Sequence, residues 1–250
     1  LSTAIHLARS GCDTRFVTAL GSDTFSEKLA HGWADEGLDT SLILRNPDRM
    51  PGLYAISLDE KGERSFAYWR ENSAARTLFS LPESGAMVEA VAKTDLLYFS
   101  LITLAVLPAD GREALFDLAR RVRANGGHVA FDGNYRPRLW ESAEAAATAR
   151  DSALAFANIG LPTLEDESIL SGEADAEAVA QHWSHVGCTE TLVKLGGDGC
   201  RLPNGTTSPT PELLQPIDTS GAGDAFNAGY LRARLSGRSP ADAAAEGHKV

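Results

Sequence analysis

The stretch 218–230 combines glycines and a carboxylate at a spacing that could do chemistry. Gly221, Ala222 and Gly223 are typical of a turn that leads into a helix, and the apolar residues that follow continue that helix. The first N–H groups of a helix lack internal partners and carry the positive end of its dipole, so this turn is a potential seat for a phosphate-like anion. Asp224 falls in the first helical turn, beside that seat.

A carboxylate beside an anion seat indicates phosphoryl transfer. The backbone amides would hold the charge of the moving phosphoryl group, and Asp224 would take the proton from an attacking alcohol. The alternative is an ordinary glycine turn followed by an Asp that favours a helix start. Two other phosphate-binding patterns are excluded. No G-x-x-x-x-G-K-[ST] occurs in the chain, and Phe226 stands where G-x-G-x-x-G would need its third glycine.

The composition narrows the class of protein. The chain has 250 residues, of which 43% are hydrophobic and 23% charged, as expected for one α/β domain with a sizeable core. The net charge of −11 argues against a general binder of nucleic acid or anionic membranes. The three cysteines show no zinc or disulfide spacing, which favours a reducing cytoplasm. No apolar run approaches the ~20 residues that a membrane span needs.

The pattern along the chain predicts strands that alternate with helices. Residues 95–100, 128–131 and 190–194 have the composition of strands, and helical stretches separate them. Such alternation predicts an α/β fold with a mostly parallel sheet and helices on both faces. Asn134 and Arg136 follow the strand at 128–131. Because ligands of open α/β sheets gather at the carboxyl ends of strands, we expect these two side chains to face a ligand.

Two further segments offer binding residues. Residues 52–58 and 65–70 are β runs around a polar turn that contains glycine, and they predict a hairpin that stands off the main body. Gly196, Gly197 and Gly199 follow the strand at 190–194. They would let a nucleotide approach the backbone closely, or they form a plain hairpin turn.

The segment 218–224, DTSGAGD, resembles the carboxy-terminal signature D-T-x-G-A-G-D of the PfkB-type, or ribokinase-like, carbohydrate kinases. The segment 193–200, VKLGGDGC, is similar to the nucleotide-site strand and turn of that family. Within the family, PGLY at 51–54, YWR at 68–70 and DGNYRPRLW at 132–140 resemble the kinases of 2-keto-3-deoxygluconate. The resemblance covers essentially the whole chain, and we expect the family's usual length to extend beyond both of its ends.

The resemblance implies a fold and an activity. The fold would be a three-layer α/β/α sandwich, with one ribokinase-like domain over 1–250 and a small β-sheet lid over the sugar at about 45–76. The activity would be transfer of a phosphoryl group from ATP to the 6-hydroxyl of the sugar acid, in the cytoplasm. Lid sheets in this family often pair between subunits, so the resemblance also implies a homo-oligomer.

The resemblance also assigns roles to residues. Asp224 would be the general base, and Gly221, Ala222 and Gly223 would form the anion hole. The implied substrate-binding residues are Tyr54, Tyr68, Arg70, Arg136 and Asp224. The implied nucleotide-binding residues are Asn134, Lys194, Gly196, Gly197, Gly199, Gly221 and Gly223. Mg²⁺ would bridge the ATP phosphates, and Asp218 and Thr219 would border a K⁺ site.

One departure from the family concerns the helix that begins near Thr163. The family often has N-x-x-E there, linked to the magnesium–phosphate network through water, whereas this chain has Thr163 and Asp166. An acidic first turn is also what a helix dipole favours. We therefore predict a structural role for Asp166.

Two alternative functions remain open at this point. A fructokinase or ribokinase would use the same chemistry on a neutral sugar, and only a few aromatic and arginine positions carry the distinction. A sugar- or nucleotide-binding protein without catalysis would share the fold, but it would have no need of Asp224.

Overall fold

The computed structural model describes residues 1–58, 64–211 and 220–250, and only the backbone of residues 54–58 and 64–68. Ten α-helices lie in these ranges: α1 (Ser2–Arg9), α2 (Thr24–Asp35), α3 (Ser84–Val91), α4 (Leu101–Val106), α5 (Ala109–Ala124), α6 (Ala143–Leu154), α7 (Leu164–Ser171), α8 (Ala176–Val186), α9 (Ala222–Leu235) and α10 (Pro240–Gly247). Short 3-10 helices lie at Ala74–Ser80, Pro137–Leu139 and Gly196–Asp198.

The strands of the described ranges form four sheets. They are β1 (Thr18–Leu20), β2 (Ile43–Arg45), β3 (Leu53–Leu58), β4 (Arg64–Trp69), β5 (Leu96–Ser100), β6 (His128–Asp132), β7 (Ile159–Gly160), β8 (Glu190–Thr191), β9 (Val193–Lys194), β10 (Cys200–Arg201) and β11 (Thr207–Ser208). A parallel sheet has the order β5-β6-β7-β8, and β1 pairs with β2 in parallel. The strands β3 and β4 form an antiparallel hairpin, and β9, β10 and β11 form a second antiparallel sheet.

The parallel sheet is buried on both faces. Successive side chains of a strand point to opposite faces, and β6 shows this directly. Val129 and Phe131 belong to one core cluster, which packs against helices such as α5, α6 and α8, whereas Ala130 belongs to a second cluster with side chains of α9 and α10. Helices therefore cover both faces, and the predicted α/β fold with a mostly parallel sheet and a small antiparallel sheet is confirmed.

The helices begin in two different ways. Asp23, Ser142, Asp175 and Ser239 cap the N-termini of α2, α6, α8 and α10 by accepting a hydrogen bond from a backbone N–H of the first turn. Helix α9 instead begins at Gly221, whose φ of +85° lies in the left-handed region and which has no side chain to cap the helix. The residue that starts α9 therefore does not satisfy the N–H groups of its first turn.

The strand predicted at 190–194 is divided in the structure. Its first part, β8, pairs in parallel with β7, and its second part, β9, pairs antiparallel with β10. Lys194 pairs with β10 in the hairpin and also forms a parallel bridge with Thr163, beyond the end of β7, so it lies at the carboxyl edge of the parallel sheet. No helix in the described ranges has the length and apolarity that crossing a membrane requires.

Candidate active site

The N-terminus of α9 forms the centre of the site. Ala222 and Gly223 are exposed, and the first helical hydrogen bond runs from the Ala225 N–H to the Gly221 carbonyl at 2.8 Å. The N–H groups ahead of Ala225 thus lie in the turn where a helix leaves its donors unpaired. Asp224 is half-buried in this first turn, as the sequence predicted.

Lys194 approaches the same turn from the end of β9. Its Nζ lies 3.7 Å from the position that a Cβ on Gly223 would occupy, so the ammonium group stands beside the helix start. The side chain is buried, and Nζ donates a hydrogen bond of 3.0 Å to Asp132 Oδ1 at the end of β6. A cation and the uncapped N-terminus of a helix thus face one place, which is the arrangement that a phosphate group requires.

Asp224 is joined to the sheet by hydroxyl groups. Thr3, which is fully buried in α1, donates from Oγ1 to Asp224 Oδ1 at 2.5 Å. Thr3 Oγ1 also lies 3.2 Å from Tyr98 Oη, which in turn lies 3.1 Å from Asp132 Oδ2. Burial, followed by the charges of Asp132 and Asp224, raises the pKa of Tyr98 well above its ordinary value, so the phenol stays protonated.

Sequence reasoning missed Thr3 and Tyr98 as site residues. The only signal for Tyr98 was a phenol in an otherwise apolar strand, because a buried hydroxyl needs a hydrogen-bond partner. Asn227 offered a similar signal, since it follows Asp224 by three positions on α9 and therefore lies on the same side of the helix. It is fully buried, and its Nδ2 donates to Tyr98 Oη at 3.3 Å.

The loop after β6 places Asn134 and Arg136 at the same edge of the sheet. Asn134 Oδ1 is buried without a hydrogen-bond partner among the described residues. Arg136 is exposed and donates to Asp166 Oδ1 at 3.0 Å and to the carbonyl of Tyr135 at 2.5 Å. Burial raises the pKa of Asp166, while the charge of Arg136 opposes the shift and that of Asp132 adds to it. Asp166 is therefore a direct partner of Arg136.

The three glycines of the turn between β9 and β10 have different surroundings. Gly196, with φ of +63°, and Gly197 are exposed, and an added Cβ at either would meet nothing within 4 Å. An added Cβ at Gly199 would lie 2.1 Å from the carbonyl oxygen of Ser208, and its φ is +96°. Packing against β11 therefore explains why residue 199 is a glycine, whereas the space beside Gly196 and Gly197 is open to a ligand.

The remaining predicted residues lie partly or wholly outside the described structure. Tyr54 and Tyr68 are register partners in the hairpin of β3 and β4, and their side chains lie outside the description. Arg70 follows β4, and its Cγ lies 3.3 Å from where a Cβ on Gly52 would stand. Asp218 and Thr219, the predicted borders of a cation site, lie outside the described residues.

The polar groups of this site fit a nucleotide better than they fit an isolated metal ion. Within residues 1–58, 64–211 and 220–250, no group of three or more His, Cys, Asp or Glu side chains could hold a metal ion. The uncapped helix start, the ammonium group of Lys194 and the unpaired Asn134 Oδ1 are instead what a phosphate chain and its hydrated Mg²⁺ would engage.

Comparisons with known proteins find similarity along the whole chain. A family model described as pfkB family carbohydrate kinase matches residues 1–250. The 2-dehydro-3-deoxygluconokinase of Escherichia coli (strain K12) is 42% identical over 99% of this chain and 84% of its own length.

Two solved structures have a similar fold. The crystal structure of a PfkB protein from Polaromonas sp. JS666 has a TM-score of 0.86 and 26% identity, and the match covers 100% of this chain and 82% of that one. The crystal structure of fructokinase with bound ATP from Xylella fastidiosa has a TM-score of 0.80 and 28% identity, over 100% of this chain and 76% of that one.

Proposed function

This chain belongs to the pfkB family of carbohydrate kinases, and we propose that within the family it is a 2-dehydro-3-deoxygluconokinase. The substrate, also called 2-keto-3-deoxygluconate, is a sugar acid, and ATP is the phosphoryl donor. The observation that carries the proposal is the position of Asp224. Its carboxylate lies in the first turn of an uncapped helix, and Lys194 Nζ stands beside the same turn.

The Asp224 carboxylate and the N–H groups of this turn have different roles in the reaction. The oxygen of the sugar 6-hydroxyl forms a bond to the γ-phosphorus of ATP while the bond from that phosphorus to the β–γ bridging oxygen breaks. The hydroxyl proton passes to Asp224, and the products are the sugar 6-phosphate and ADP. The N–H groups at Gly221–Gly223 and the ammonium group of Lys194 stabilise the charge on the transferring group, which is the main catalytic term in phosphoryl transfer.

The nucleotide extends from the helix start towards the glycine turn. Gly196 and Gly197 offer exposed backbone, Asn134 offers an unpaired acceptor, and Gly199 shapes the turn by its packing. Mg²⁺ bound to the phosphates neutralises part of their charge when it is present. A K⁺ site at Asp218 and Thr219 remains part of the proposal by family resemblance.

The sugar acid lies on the opposite side of Asp224. Arg136 and Arg70 supply the positive charge for its carboxylate, and Tyr54 and Tyr68 line the hairpin that covers it. Arg136 is already paired with Asp166 at 3.0 Å, so the substrate carboxylate shares the guanidinium with that residue. A guanidinium has five N–H donors, which is enough to serve two carboxylates.

The hairpin is also the proposed contact between two copies of the chain. Met50, Leu53 and Trp69 lie in or beside it, and 52%, 43% and 63% of their respective surfaces are exposed. Exposed apolar side chains this close together are typical of an interaction surface. We take a second copy as the occupant, because each copy presents the same strand edges and a two-fold arrangement would bury them together.

A substrate panel tests the proposed function. ADP release is measured with the purified chain, ATP and Mg²⁺, and either 2-dehydro-3-deoxygluconate, fructose or ribose. The proposal predicts that kcat/KM for the sugar acid exceeds that for each neutral sugar by at least about tenfold, because Arg136 pairs only with an acid. A preference for fructose or ribose would contradict the assigned substrate. Binding of sugar and ATP without any ADP release would contradict the assignment as a kinase.

A further inference from the structure

A fully buried hydroxyl group and a partly buried one lie between the proposed base and the carboxylate that holds the cation at the phosphate seat. Thr3 and Tyr98, together called the hydroxyl bridge below, lie between Asp224 and Asp132, and Asp132 holds Lys194. The oxygen–oxygen distances along the line are 2.5, 3.2 and 3.1 Å. The line crosses four separate elements, α9, α1, β5 and β6, which only the folded chain brings together.

The hydrogens in the line determine its direction. Thr3 and Tyr98 supply one hydroxyl hydrogen each, and a carboxylate only accepts. The contact of 2.5 Å between Thr3 and Asp224 Oδ1 must contain the Thr3 hydrogen, because two oxygen lone pairs would repel at that distance. The Tyr98 hydrogen then points to Asp132 or to Thr3. In both arrangements Thr3 donates to Asp224, and the remaining contact of Tyr98 is an oxygen–oxygen contact without a hydrogen.

Tyr98 is fixed from a second direction. The Asn227 amide donates to its oxygen at 3.3 Å from α9, the helix that also carries Asp224. Thr3 is fully buried, and Asn227 is as well, so neither group exchanges these contacts for contacts with solvent. Buried and connected hydrogen bonds of this kind hold side chains in one arrangement.

We propose that the hydroxyl bridge positions Asp224 for proton removal. Thr3 holds Oδ1, and Oδ2 is left to accept the proton of the substrate hydroxyl. The line ends beside Asp132, whose other oxygen holds Lys194, so the base and the phosphate-facing cation lie at opposite ends of the same pair of hydroxyl groups. This inference rests on the proposed function, in which Asp224 is the base. Thr3 and Tyr98 are positioning residues, because neither is required to touch the substrate.

Variants of Thr3 separate its hydroxyl from its shape. Thr3→Val keeps the shape and removes the hydroxyl, whereas Thr3→Ser keeps the hydroxyl. We expect Thr3→Val to lower kcat about ten- to a hundredfold, because small displacements of a catalytic group have effects of that size. The KM values for ATP and for the sugar should change less than about twofold, since the bridge acts on the base and not on either ligand. Thr3→Ser should recover most of kcat.

A double-mutant cycle with Asp224→Asn tests whether Thr3 acts through the base. In the Asp224→Asn background, Thr3→Val should change kcat less than about twofold, because no base remains to be positioned. Unchanged kcat in Thr3→Val alone would contradict the bridge. The same factor of loss in both backgrounds, or an equal loss in Thr3→Ser, would also contradict it.

Two further variants guard against an effect on folding. Thr191→Val removes another buried threonine hydroxyl, in β8 and outside the bridge, and should leave kcat unchanged. Tyr98→Phe interrupts the bridge at its middle and should lower kcat, by a smaller factor than Thr3→Val; no change in kcat would contradict the bridge even if Thr3→Val failed to fold. If Asp224→Asn abolishes the activity and Thr3→Val leaves it unchanged, only the bridge is contradicted. If Asp224→Asn leaves the activity unchanged, both the proposed base and the bridge are contradicted.

Discussion

Arg136 carries the distinction between an acidic and a neutral sugar at the scale of single residues. Its guanidinium is exposed and paired with Asp166, so it is ordered and still has donors to offer. We expect Arg136→Ala to raise KM for 2-dehydro-3-deoxygluconate about ten- to a hundredfold, the range for losing a hydrogen bond to a charged group. The KM for ATP should change little. Steady-state kinetics with each substrate varied in turn measures both values.

Arg138 provides the matched control for Arg136. It is an exposed arginine two positions further along the chain, in the short 3-10 helix Pro137–Leu139. Arg138→Ala should leave the KM for the sugar acid within about twofold, as expected for a charge outside the site. Equal increases in KM for the two variants would mean that Arg136 acts through the general positive charge of the loop.

Asp166 links the site to the pH dependence of stability. Burial raises its pKa above 3.8, so the folded state binds this proton more tightly than the unfolded chain does. Stability is therefore lost as the pH rises through the interval between 3.8 and the raised pKa. Because Asn does not titrate, the free energy of unfolding of the wild type should fall relative to that of Asp166→Asn as the pH rises. Urea unfolding of both proteins between about pH 3.5 and 6.5 measures the difference. A free energy of unfolding of the wild type that rises relative to that of Asp166→Asn with increasing pH would show that Arg136 outweighs burial.

Residues differ in how well the sequence predicts them. Asp224 and the glycines before it form a local pattern, so their place at a helix start was predictable, as was the carboxyl-edge position of Arg136. The contact between Thr3 and Asp224 joins residues that are 221 positions apart, and no local pattern encodes it. The ion pair of Arg136 with Asp166 was missed for the same reason, because it forms only when β6 and α7 lie side by side.

The turn between β9 and β10 permits a test at the scale of elements. Gly199 has φ of +96°, and an added Cβ would lie 2.1 Å from the Ser208 carbonyl oxygen. We expect Gly199→Ala to lower the free energy of unfolding by at least roughly 1–3 kcal/mol, because both the backbone angle and the packing oppose a side chain. Urea denaturation measures this loss.

Gly197 is the matched position in the same turn. It is exposed, and nothing lies within 4 Å of an added Cβ, so Gly197→Ala should change stability by less than about 0.5 kcal/mol. If the nucleotide approaches the backbone there, the same substitution should raise KM for ATP. A loss of stability as large as that of Gly199→Ala would contradict the distinction between the two glycines.

Element types were easier to predict than the partners of each element. The hairpin of β3 and β4 and the strands β5 and β6 follow from periodicity and turn residues. The division of 190–194 into β8 and β9 does not, because it depends on the positions of β7 and β10, which pair with different parts of this run of the chain. The two-residue strand β11 lies in a proline-containing connection, and it pairs only because β10 is already in place.

Self-association is the property to test at the scale of the whole molecule. If the hairpins of two copies pair, Trp69 lies in their contact, since 63% of its surface is exposed in the single chain. Trp69→Ser should then weaken association by at least about tenfold, because buried tryptophans contribute strongly to interfaces. Sedimentation velocity over a range of concentrations measures the change.

Phe25 supplies the control for self-association. It lies on α2, which is not part of the hairpin, and 43% of its surface is exposed. Phe25→Ser should leave the association unchanged. An equal effect of the two substitutions would indicate non-specific association through exposed apolar side chains, and a monomeric wild type would contradict the pairing of hairpins.

The overall fold was the most predictable feature of the molecule. Alternating strands and helices specify a mostly parallel sheet, and the resemblance at 218–224 and 193–200 specified the family. The two core clusters on opposite faces of β6 explain why, since each strand must be apolar on both faces and each helix on one. The family match over residues 1–250 and the TM-score of 0.86 agree with that expectation.

The central claim is that the Asp224 carboxylate removes the proton of the sugar hydroxyl beside a phosphate seat. Its most direct test is single-turnover phosphoryl transfer by Asp224→Asn, with ATP affinity measured on the same preparation by calorimetry. We expect a rate of transfer lower by about 10²- to 10⁴-fold with ATP affinity changed little, because Asn keeps the size of the side chain and cannot accept the proton. A variant that transfers the phosphoryl group at the wild-type rate would contradict the claim.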